Sequence, residues 1–319
     1  MDLVVCSPVA REGLDRRLRE LPGLTLRWAE VAELPGLAAH ADAMVLSGTV
    51  YGADLAGALN RRDNRCRWLQ LLSAGYELLQ THGVAADVAV SSAGSVWSPI
   101  VAEHAIALLL ALARRLPKVL AAQGRAQWDD SIRQDMGMLI GGHLVVVGMG
   151  SIGGETARRA RAFGMKVTGV SRRGLPHADA DEVLPLSRLH DALGRADAVL
   201  VAVPLSVATV HLIDAAALAA CPPHALICNV ARGAVIDPVA LLHALQSGRL
   251  GGAALDVTEP EPLPPGHPLW TVPNTLISPH LGGAAPRRYY DRLVEHVVAN
   301  VRARLQGQPL ADRVEIDTP

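Results

Sequence analysis

The sequence predicts an α/β fold with two doubly wound parallel-sheet domains and a cleft between them. Its 319 residues are enough for two domains with separate cores. Short apolar runs alternate with helical patterns over nearly the whole chain, as in strands that helices cover on both faces. A glycine-rich turn directly follows one of these runs near the middle of the chain.

The first third of the chain predicts one such sheet. Helical stretches at residues 13–21 and 53–60 separate its apolar runs, and this alternation is typical of a parallel sheet between two layers of helices. The predicted strands are residues 3–7, 24–29, 43–46, 68–72 and 88–91.

A second alternating series begins at Leu144 and has the length of a dinucleotide-binding domain. Before it, residues 100–115 predict a helix that is apolar nearly all round and therefore buried, between domains or between subunits. Pro117 is placed to end that helix. The predicted strands of this series are residues 144–147, 166–170, 198–203, 225–229, 252–256 and 275–277.

The last long segment, residues 286–305, predicts an amphipathic helix. Because it follows the second series, we expect it to return to the first domain. The predicted domains are a discontinuous substrate domain of residues 1–98 and 286–319 and a dinucleotide-binding domain of residues 99–285.

Composition excludes several classes of function. Lys and Arg (30) nearly balance Asp and Glu (31), so we expect no broad attraction to nucleic acid or to an anionic membrane. The first residues lack a signal peptide's basic start and long apolar core, and no apolar helix is long enough to span a bilayer, which predicts a soluble, cytoplasmic protein. Scattered cysteines without a CxxC pair predict reduced, mostly buried thiols and no zinc site: Cys6, Cys66, Cys221 and Cys228.

The second series opens with the pattern GxGxxG, between a predicted strand and a helical pattern. Gly148 permits the tight turn, Gly150 lets backbone N–H groups approach a pyrophosphate, and Gly153 lets the helix pack close to the strand. The helix N-terminus then faces the phosphate charge. The pattern alone also fits a structural turn, but its context favours a Rossmann-like cofactor loop.

The end of the next predicted strand bears on the choice of cofactor. An acidic residue at this point grips the ribose hydroxyls of NAD, whereas this strand ends in Ser171 and is followed by Arg172 and Arg173. Arginine pairs with a 2′-phosphate that a carboxylate would repel. We therefore favour NADP(H), with NAD(H) possible; the alternative is that both arginines are solvated loop charges.

Three residues in the last third are candidates for catalysis. Arg232 and His280 each follow a predicted strand, and Glu261 lies in a proline-rich loop between them. Ligands of open α/β sheets gather at the carboxyl ends of strands, so the three side chains could converge on one crevice. Taken singly, each has an ordinary explanation: a turn-capping arginine, a strand-end histidine and an exposed loop carboxylate.

Together, these motifs resemble those of the D-isomer-specific 2-hydroxyacid dehydrogenases, which include glyoxylate/hydroxypyruvate reductases and phosphoglycerate dehydrogenases. The resemblance covers essentially the full length of the chain. It implies two Rossmann-like or flavodoxin-like domains and an NAD(P)-dependent enzyme that transfers a hydride between the cofactor and C2 of a small 2-oxo acid or D-2-hydroxy acid. The matching segments are residues 73–75, 101–103, 148–153, 203–205, 229–237, 252–262 and 278–283.

The resemblance also implies the roles of the candidates. His280 is expected to be the general acid/base, a task that suits imidazole because it titrates near neutral pH. Glu261 is expected to hold its other ring nitrogen, and Arg232 to bind and polarise the substrate without a metal. The implied substrate-binding set is Ser73, Ala74 and Gly75, with backbone N–H groups of the last two on the carboxylate, together with Arg232 and His280.

Further positions are expected to contact the cofactor. The glycine turn and the two residues inside it hold the pyrophosphate, the end of the third strand of the series flanks the adenosine, and later strand ends surround the nicotinamide ribose and carboxamide. The implied set is Gly148, Gly150, Ser151, Ile152, Gly153, Ser171, Arg172, Arg173, Val203, Pro204, Val230, Ala231, Asp256 and Gly282.

For five other polar and aromatic residues we predict a structural or packing role. His82, His104 and His143 have no comparable setting and are interpreted as structural. Trp97 and Trp128 are interpreted as packing residues, with contact to the substrate at a domain cleft as the alternative.

Two rival functions remain open on the same fold. A cofactor-sensing binding protein, such as a transcriptional corepressor, would need no turnover, but this chain keeps all three catalytic candidates. An enzyme acting on formate or phosphite is the second rival, and Glu261 argues against formate because such relatives carry an amide there. The expected assembly is a homodimer; the sequence leaves the substrate side chain and the direction of the reaction open.

Overall fold

The computed structural model describes residues 1–316 and divides the chain into two compact units. Unit 1 is Met1–Trp97 with Ala285–Pro319, and unit 2 is Ser98–Ala284. Each unit contains one sheet in which all strands are parallel apart from one edge strand of unit 1. The predicted α/β class with two doubly wound parallel sheets is confirmed.

Unit 1 is built on a six-stranded sheet. Its strands are β1 (Asp2–Cys6), β2 (Thr25–Trp28), β3 (Ala43–Leu46), β4 (Trp68–Leu71), β5 (Ala89–Ser91) and β13 (Arg313–Val314), and its helices are α1 (Arg11–Arg19), α2 (Leu34–Leu37), α3 (Ala53–Leu59), α4 (Glu77–His82) and α11 (Tyr290–Leu305). The strand order is β13-β5-β4-β3-β1-β2. Alternate side chains of β1 lie on opposite faces of the sheet. Leu3 and Val5 pack with α1 and α11 on one face. Val4 and Cys6 pack with α2 and α3 on the other face.

Unit 2 is built on a seven-stranded parallel sheet. Its strands are β6 (His143–Val147), β7 (Lys166–Ser171), β8 (Glu182–Pro185), β9 (Ala198–Val201), β10 (Leu226–Asn229), β11 (Gly252–Leu255) and β12 (Thr275–Ile277), and its helices are α5 (Ser98–Ala113), α6 (Leu116–Gly124), α7 (Ser151–Ala162), α8 (Leu189–Leu193), α9 (Ala215–Ala220) and α10 (Pro238–Gln246). The order β12-β11-β10-β9-β6-β7-β8 reverses between β9 and β6, and ligands of doubly wound sheets bind outside such a reversal. Helices α8, α9 and α10 cover one face, while α5 packs against α7, β10 and β11.

The expectation that Pro117 ends the long apolar helix is wrong. Helix α5 ends at Ala113, and the chain turns at Arg115, whose φ is +52°. Pro117 then lies in the first turn of α6. A proline is favourable there because the first N–H groups of a helix have no partner within the helix.

The cysteines are buried, as the sequence predicts. Cys6, Cys66, Cys221 and Cys228 are all free thiols in the core. Burial raises the pKa of Cys66 and of Cys221 to about 11, so both remain protonated at neutral pH and are poor nucleophiles. Within residues 1–316, no helix combines the length and apolar character needed to cross a bilayer.

Candidate active site

The glycine turn lies between β6 and α7, at the point where the strand order reverses. Gly148 has a φ of +107°, which favours glycine, and a Cβ on Gly153 would lie 1.9 Å from the carbonyl oxygen of Gly148. Gly150 is the N-cap of the 12-residue helix α7, and a Cβ there would meet nothing within 4 Å. This open space faces the first turn of α7, which begins with Ser151 and Ile152, and it fits a pyrophosphate held by backbone N–H groups.

Two arginines follow β7, the strand next to the one that leads into this turn. Strand β7 pairs in parallel with β6 and ends at Ser171, whose Oγ accepts a hydrogen bond from the N–H of Gly174 (3.1 Å). Arg172 and Arg173 follow and are exposed. Residues 171–173 therefore offer one hydroxyl and two cations where the ribose of a dinucleotide is expected.

Four further predicted cofactor positions follow β9 and β10. Val203 and Pro204 come after β9; Val203 is partly buried and Pro204 is exposed. A Cβ on Gly148 would lie 2.9 Å from Cγ1 of Val203. Val230 and Ala231 come directly after β10 and are buried. The structure thus places Val203 against the glycine turn.

His280 and Glu261 form a hydrogen-bonded pair. The Nδ1 of His280 lies 2.6 Å from Oε1 of Glu261, and both side chains are half-exposed. His280 has a φ of +53°, in the left-handed region that residues other than glycine rarely adopt. Its N–H donates to the carbonyl oxygens of Asp256 (2.8 Å) and Ser278 (3.0 Å), which hold this backbone conformation. With Nδ1 on the carboxylate, Nε2 is the ring nitrogen that can exchange a proton with a ligand.

Asp256 anchors the loop that carries His280. It follows β11 and is only 3% exposed. Burial alone would raise the pKa of its carboxyl group, but hydrogen bonds from side chains and backbone outweigh burial and lower the pKa to about 2. The carboxylate accepts these bonds from the Nε2 of His104 (3.1 Å), the Oγ of Ser278 (2.7 Å), and the N–H groups of Gly282 (2.8 Å) and Leu281 (2.8 Å).

Arg232 lies in the loop after β10, and Asn229 shapes that loop. The Oδ1 of Asn229 accepts a hydrogen bond from the N–H of Ala231 (3.0 Å), and its Nδ2 donates to the carbonyl oxygen of Arg232 (2.9 Å). A Cβ on Gly233 would lie 2.0 Å from the carbonyl oxygen of Thr258. The loop therefore packs tightly against the segment that follows β11.

The predicted catalytic residues share one edge of the sheet of unit 2. Arg232, Asp256 and His280 follow the carboxyl ends of β10, β11 and β12, which are adjacent and parallel. Glu261 joins His280 through its hydrogen bond. This edge can bind a small anion beside an imidazole and a guanidinium, which suits proton transfer to a polarised oxygen.

The predicted substrate loop belongs to unit 1. Ser73, Ala74 and Gly75 follow β4, and Ala74 is exposed. The Oγ of Ser73 donates to the carbonyl oxygen of Gly75 (2.8 Å) and accepts a hydrogen bond from the N–H of Gly48 (3.1 Å). These bonds fix the turn at the carboxyl edge of the sheet of unit 1.

Sequence reasoning missed the contact that His104 makes with Asp256. The available signal was a histidine in a helix that is otherwise mostly apolar. Trp97 is a packing residue, as interpreted: its Nε1 donates to the carbonyl oxygen of Leu72 (2.9 Å) and its ring stacks on Tyr289. The packing interpretation of Trp128 is wrong for the single chain, because 92% of that residue is exposed. In the described part of the chain, no three or more His, Cys, Asp and Glu side chains are grouped to hold a metal ion.

Comparisons with known proteins agree with these features. The family model described as D-isomer specific 2-hydroxyacid dehydrogenase, NAD binding domain, matches residues 106–282. A glyoxylate/hydroxypyruvate reductase B of Citrobacter koseri is 34% identical over 275 residues, which cover 84% of this chain and 85% of that protein.

Solved structures extend the likeness to both units. The crystal structure of a D-isomer specific 2-hydroxyacid dehydrogenase family protein from Aeromonas salmonicida matches with a TM-score of 0.86 and 30% identity, over 99% of each chain. A D-isomer specific 2-hydroxyacid dehydrogenase from Xanthobacter autotrophicus, in complex with NADPH and MES, matches with a TM-score of 0.81 and 27% identity, over 98% of each chain. The resemblance of the motifs is thereby confirmed: the chain belongs to the D-isomer specific 2-hydroxyacid dehydrogenase family and is an NAD(P)-dependent oxidoreductase.

Proposed function

We propose that this protein reduces a small 2-oxo acid at C2 to the D-2-hydroxy acid with NADPH, or catalyses the reverse reaction. The observation that carries the proposal is the 2.6 Å contact between His280 and Glu261, on the same sheet edge as Arg232. The relative from Citrobacter koseri is named a glyoxylate/hydroxypyruvate reductase, which supports a substrate of two or three carbons. When bound, the nicotinamide ring donates or accepts the hydride.

His280 donates and accepts the proton in this scheme. In its charged form, both ring nitrogens carry hydrogen: Nδ1 donates to Glu261, and Nε2 gives its proton to the carbonyl oxygen of the substrate during reduction. Glu261 stabilises the charged ring and fixes the orientation of Nε2. In the oxidative direction, neutral His280 takes the proton from the hydroxyl group.

Arg232 binds the substrate in the same scheme. Its planar guanidinium pairs with the carboxylate through two parallel hydrogen bonds and polarises the C2 carbonyl group, so that charge developing on oxygen meets a fixed cation. We assign the other contacts of the carboxylate to the backbone N–H groups of Ala74 and Gly75.

Unit 2 would hold the cofactor, with Gly150 and the N-terminus of α7 available to its pyrophosphate. We propose a preference for NADP(H), because Arg172 and Arg173 are exposed beside Ser171, where a carboxylate would otherwise select NAD(H). The NADPH named for the Xanthobacter relative supports this preference. Asp256 and Gly282 are assigned to the nicotinamide side, where Oδ2 of Asp256 accepts the N–H of Gly282 and keeps capacity for a further donor.

The working assembly is proposed to be a homodimer formed through residues 116–140. This stretch exposes large apolar side chains close together in sequence, and exposed apolar patches mark association surfaces. A second copy of the chain is the simplest partner, since most soluble oligomers are symmetric homo-oligomers. The exposed side chains are Leu116, Leu120, Trp128, Met136, Met138 and Ile140.

A substrate panel tests the proposed reaction. Glyoxylate, hydroxypyruvate and larger 2-oxo acids are offered with NADPH and with NADH, and turnover is followed by absorbance of the reduced cofactor. His280→Ala should lower turnover on the order of 10²–10⁴-fold, while NADPH binding survives. His243→Ala, at an exposed position on α10, serves as the matched control. Turnover of H280A at the wild-type rate would refute the role of His280. Cofactor binding without turnover on any 2-oxo acid would favour a cofactor-sensing binding protein.

A further inference from the structure

The loop after β12 is held in an unusual backbone conformation at the residue that moves the proton. His280 lies at a φ of +53°, and such backbone strain persists only where surrounding contacts over-determine it. Asp256 supplies several of those contacts: its carbonyl oxygen accepts the N–H of His280, and its carboxylate accepts the N–H groups of Leu281 and Gly282. Three consecutive N–H groups thus depend on one residue.

The carboxylate of Asp256 must itself be held in one orientation to do this. Its Oδ2 has to face Gly282 while its Oδ1 faces Leu281. A carboxylate turns readily about its last side-chain bond, so donors from outside the loop are needed to fix it. Ser278 provides one donor from the end of β12.

His104 provides the other outside donor, from helix α5. Its Nε2 lies 3.1 Å from Oδ1 of Asp256 and 3.1 Å from Oγ of Ser278. The hydroxyl of Ser278 already donates to Asp256, so the N–H of His104 is shared between two acceptors. All three side chains are partly or fully buried.

Helix α5, which carries His104, is itself packed against several elements of unit 2. It packs against α7, β10 and β11 within unit 2, and a Cβ on Gly282 would lie 3.6 Å from Cγ1 of Val101 on the same helix. His104 therefore ties the loop of His280 to a helix that also packs on the helix of the glycine turn.

We infer that His104 is a positioning residue for the acid/base step: its Nε2–H fixes the carboxylate of Asp256, which in turn fixes the backbone of His280. This inference rests on the proposed role of His280. His104 touches neither substrate nor cofactor in this scheme. Because Asp256 and Gly282 are assigned to the nicotinamide side, its loss should weaken NADPH binding slightly and slow the chemical step much more.

Two substitutions separate the hydrogen bond from the shape of the side chain. His104→Phe keeps a ring of similar size and removes the donor, whereas His104→Gln keeps a donor at about the reach of Nε2. We expect H104F to lower kcat and kcat/KM for glyoxylate together, by roughly 10–100-fold, since small misplacements of a reacting group have effects of this size. H104Q should recover most of this loss, and the NADPH dissociation constant should change far less than kcat in both variants.

His143 offers a matched control in the same unit. Its Nε2 lies 2.8 Å from Oγ1 of Thr168, at the start of β6 and thus at the opposite edge of the sheet from His280. His143→Phe removes a comparable hydrogen bond and should lower the melting temperature without lowering kcat. If H104F fails to fold, His104→Asn replaces it, because its shorter amide stops short of Asp256.

A second readout is independent of turnover. Diethyl pyrocarbonate modifies exposed imidazoles, and mass spectrometry of the peptide that contains His280 gives its rate of modification in the full chain. Release of the loop should make His280 react faster in H104F than in wild type and in H143F. Wild-type kcat in H104F, equal losses in H104F and H104Q, or an unchanged modification rate would each overturn the inference. A wild-type protein without turnover would instead refute the proposed function, while the modification rate would still decide the role of His104.

Discussion

At the level of single residues, the carboxylate of Asp256 stabilises the site and ties it to the fold. Burying a charge is costly unless hydrogen bonds replace the lost water. Here four donors from a helix, a strand end and the loop itself replace it. Donors of this kind are stronger when the acceptor is ionised, which is why the pKa falls to about 2 although burial alone would raise it.

Asp256→Asn should change how stability depends on pH. A carboxyl group with a lowered pKa in the folded chain contributes stability above its unfolded pKa of about 4, and this contribution is lost as the pH falls toward 2. The lowering corresponds to about 2 kcal/mol, so D256N should be less stable at pH 7 and lose less stability than wild type between pH 4 and pH 2. Urea midpoints across this range measure the effect, with the exposed Asp54→Asn as control. Parallel curves for D256N and wild type would contradict the prediction.

The role of Asp256 also shows which part of the site could not be predicted from the sequence. The motifs identified Arg232, Glu261 and His280 as candidates, because each stands in a distinctive local pattern. The link between His104 and Asp256 joins residues 152 positions apart, and no local pattern reports such a contact. A single histidine in an apolar helix was therefore interpreted as structural.

At the level of elements, strand predictions succeeded where burial on both faces leaves a continuous apolar run. Strand β3, for example, spans residues 43–46 as predicted. Strand β8 (Glu182–Pro185) was missed because it lies at the sheet edge, buries only Leu184 and ends in proline. Strand β13 has two residues, too few for any periodicity. Both missed strands lack the apolar run or alternation on which strand prediction depends, whereas the edge strands β2 and β12 keep enough of it to be predicted.

The end of β7 yields a prediction about the cofactor. Arg172→Ala with Arg173→Ala should weaken NADPH binding on the order of 10²–10⁴-fold, because hydrogen bonds to a charged phosphate contribute about 1.5–3 kcal/mol each and two arginines are removed. NADH lacks this phosphate and should lose little affinity. Fluorescence titration of both cofactors measures the difference. Arg188→Ala controls for loss of a positive charge in the same unit, since Arg188 pairs with Asp191. Equal losses for NADPH and NADH would exclude recognition of the 2′-phosphate by these arginines.

At the level of the whole molecule, the largest run of exposed apolar side chains lies in residues 116–140, and the formal net charge is only −1. A nearly neutral protein with such a run has little repulsion to keep copies apart. Both properties favour self-association through this segment, which is the proposed dimer surface.

Leu120→Glu combined with Met138→Glu should therefore yield a monomer. Each substitution replaces an exposed apolar side chain with a carboxylate. The carboxylate stays hydrated in a monomer, but an interface would have to remove its water. Sedimentation velocity gives the oligomeric state. Val239→Glu, a similar change at an exposed apolar position on α10, should leave the dimer intact. A monomeric wild type, or a dimeric double variant, would rule out this surface.

The order of strands in unit 2 has a consequence for how coenzyme preference can change. The arginines follow β7 and His280 follows β12, and five neighbouring-strand steps separate these two strands. At about 4.8 Å per step this is roughly 24 Å, well beyond the distance of about 8–10 Å over which exposed charges interact in physiological salt. Exchange of basic for acidic groups after β7 would leave the charges that act on the catalytic edge of the sheet unchanged. Selection can therefore alter the choice between phosphorylated and unphosphorylated coenzyme in small steps, each of which leaves a working catalyst.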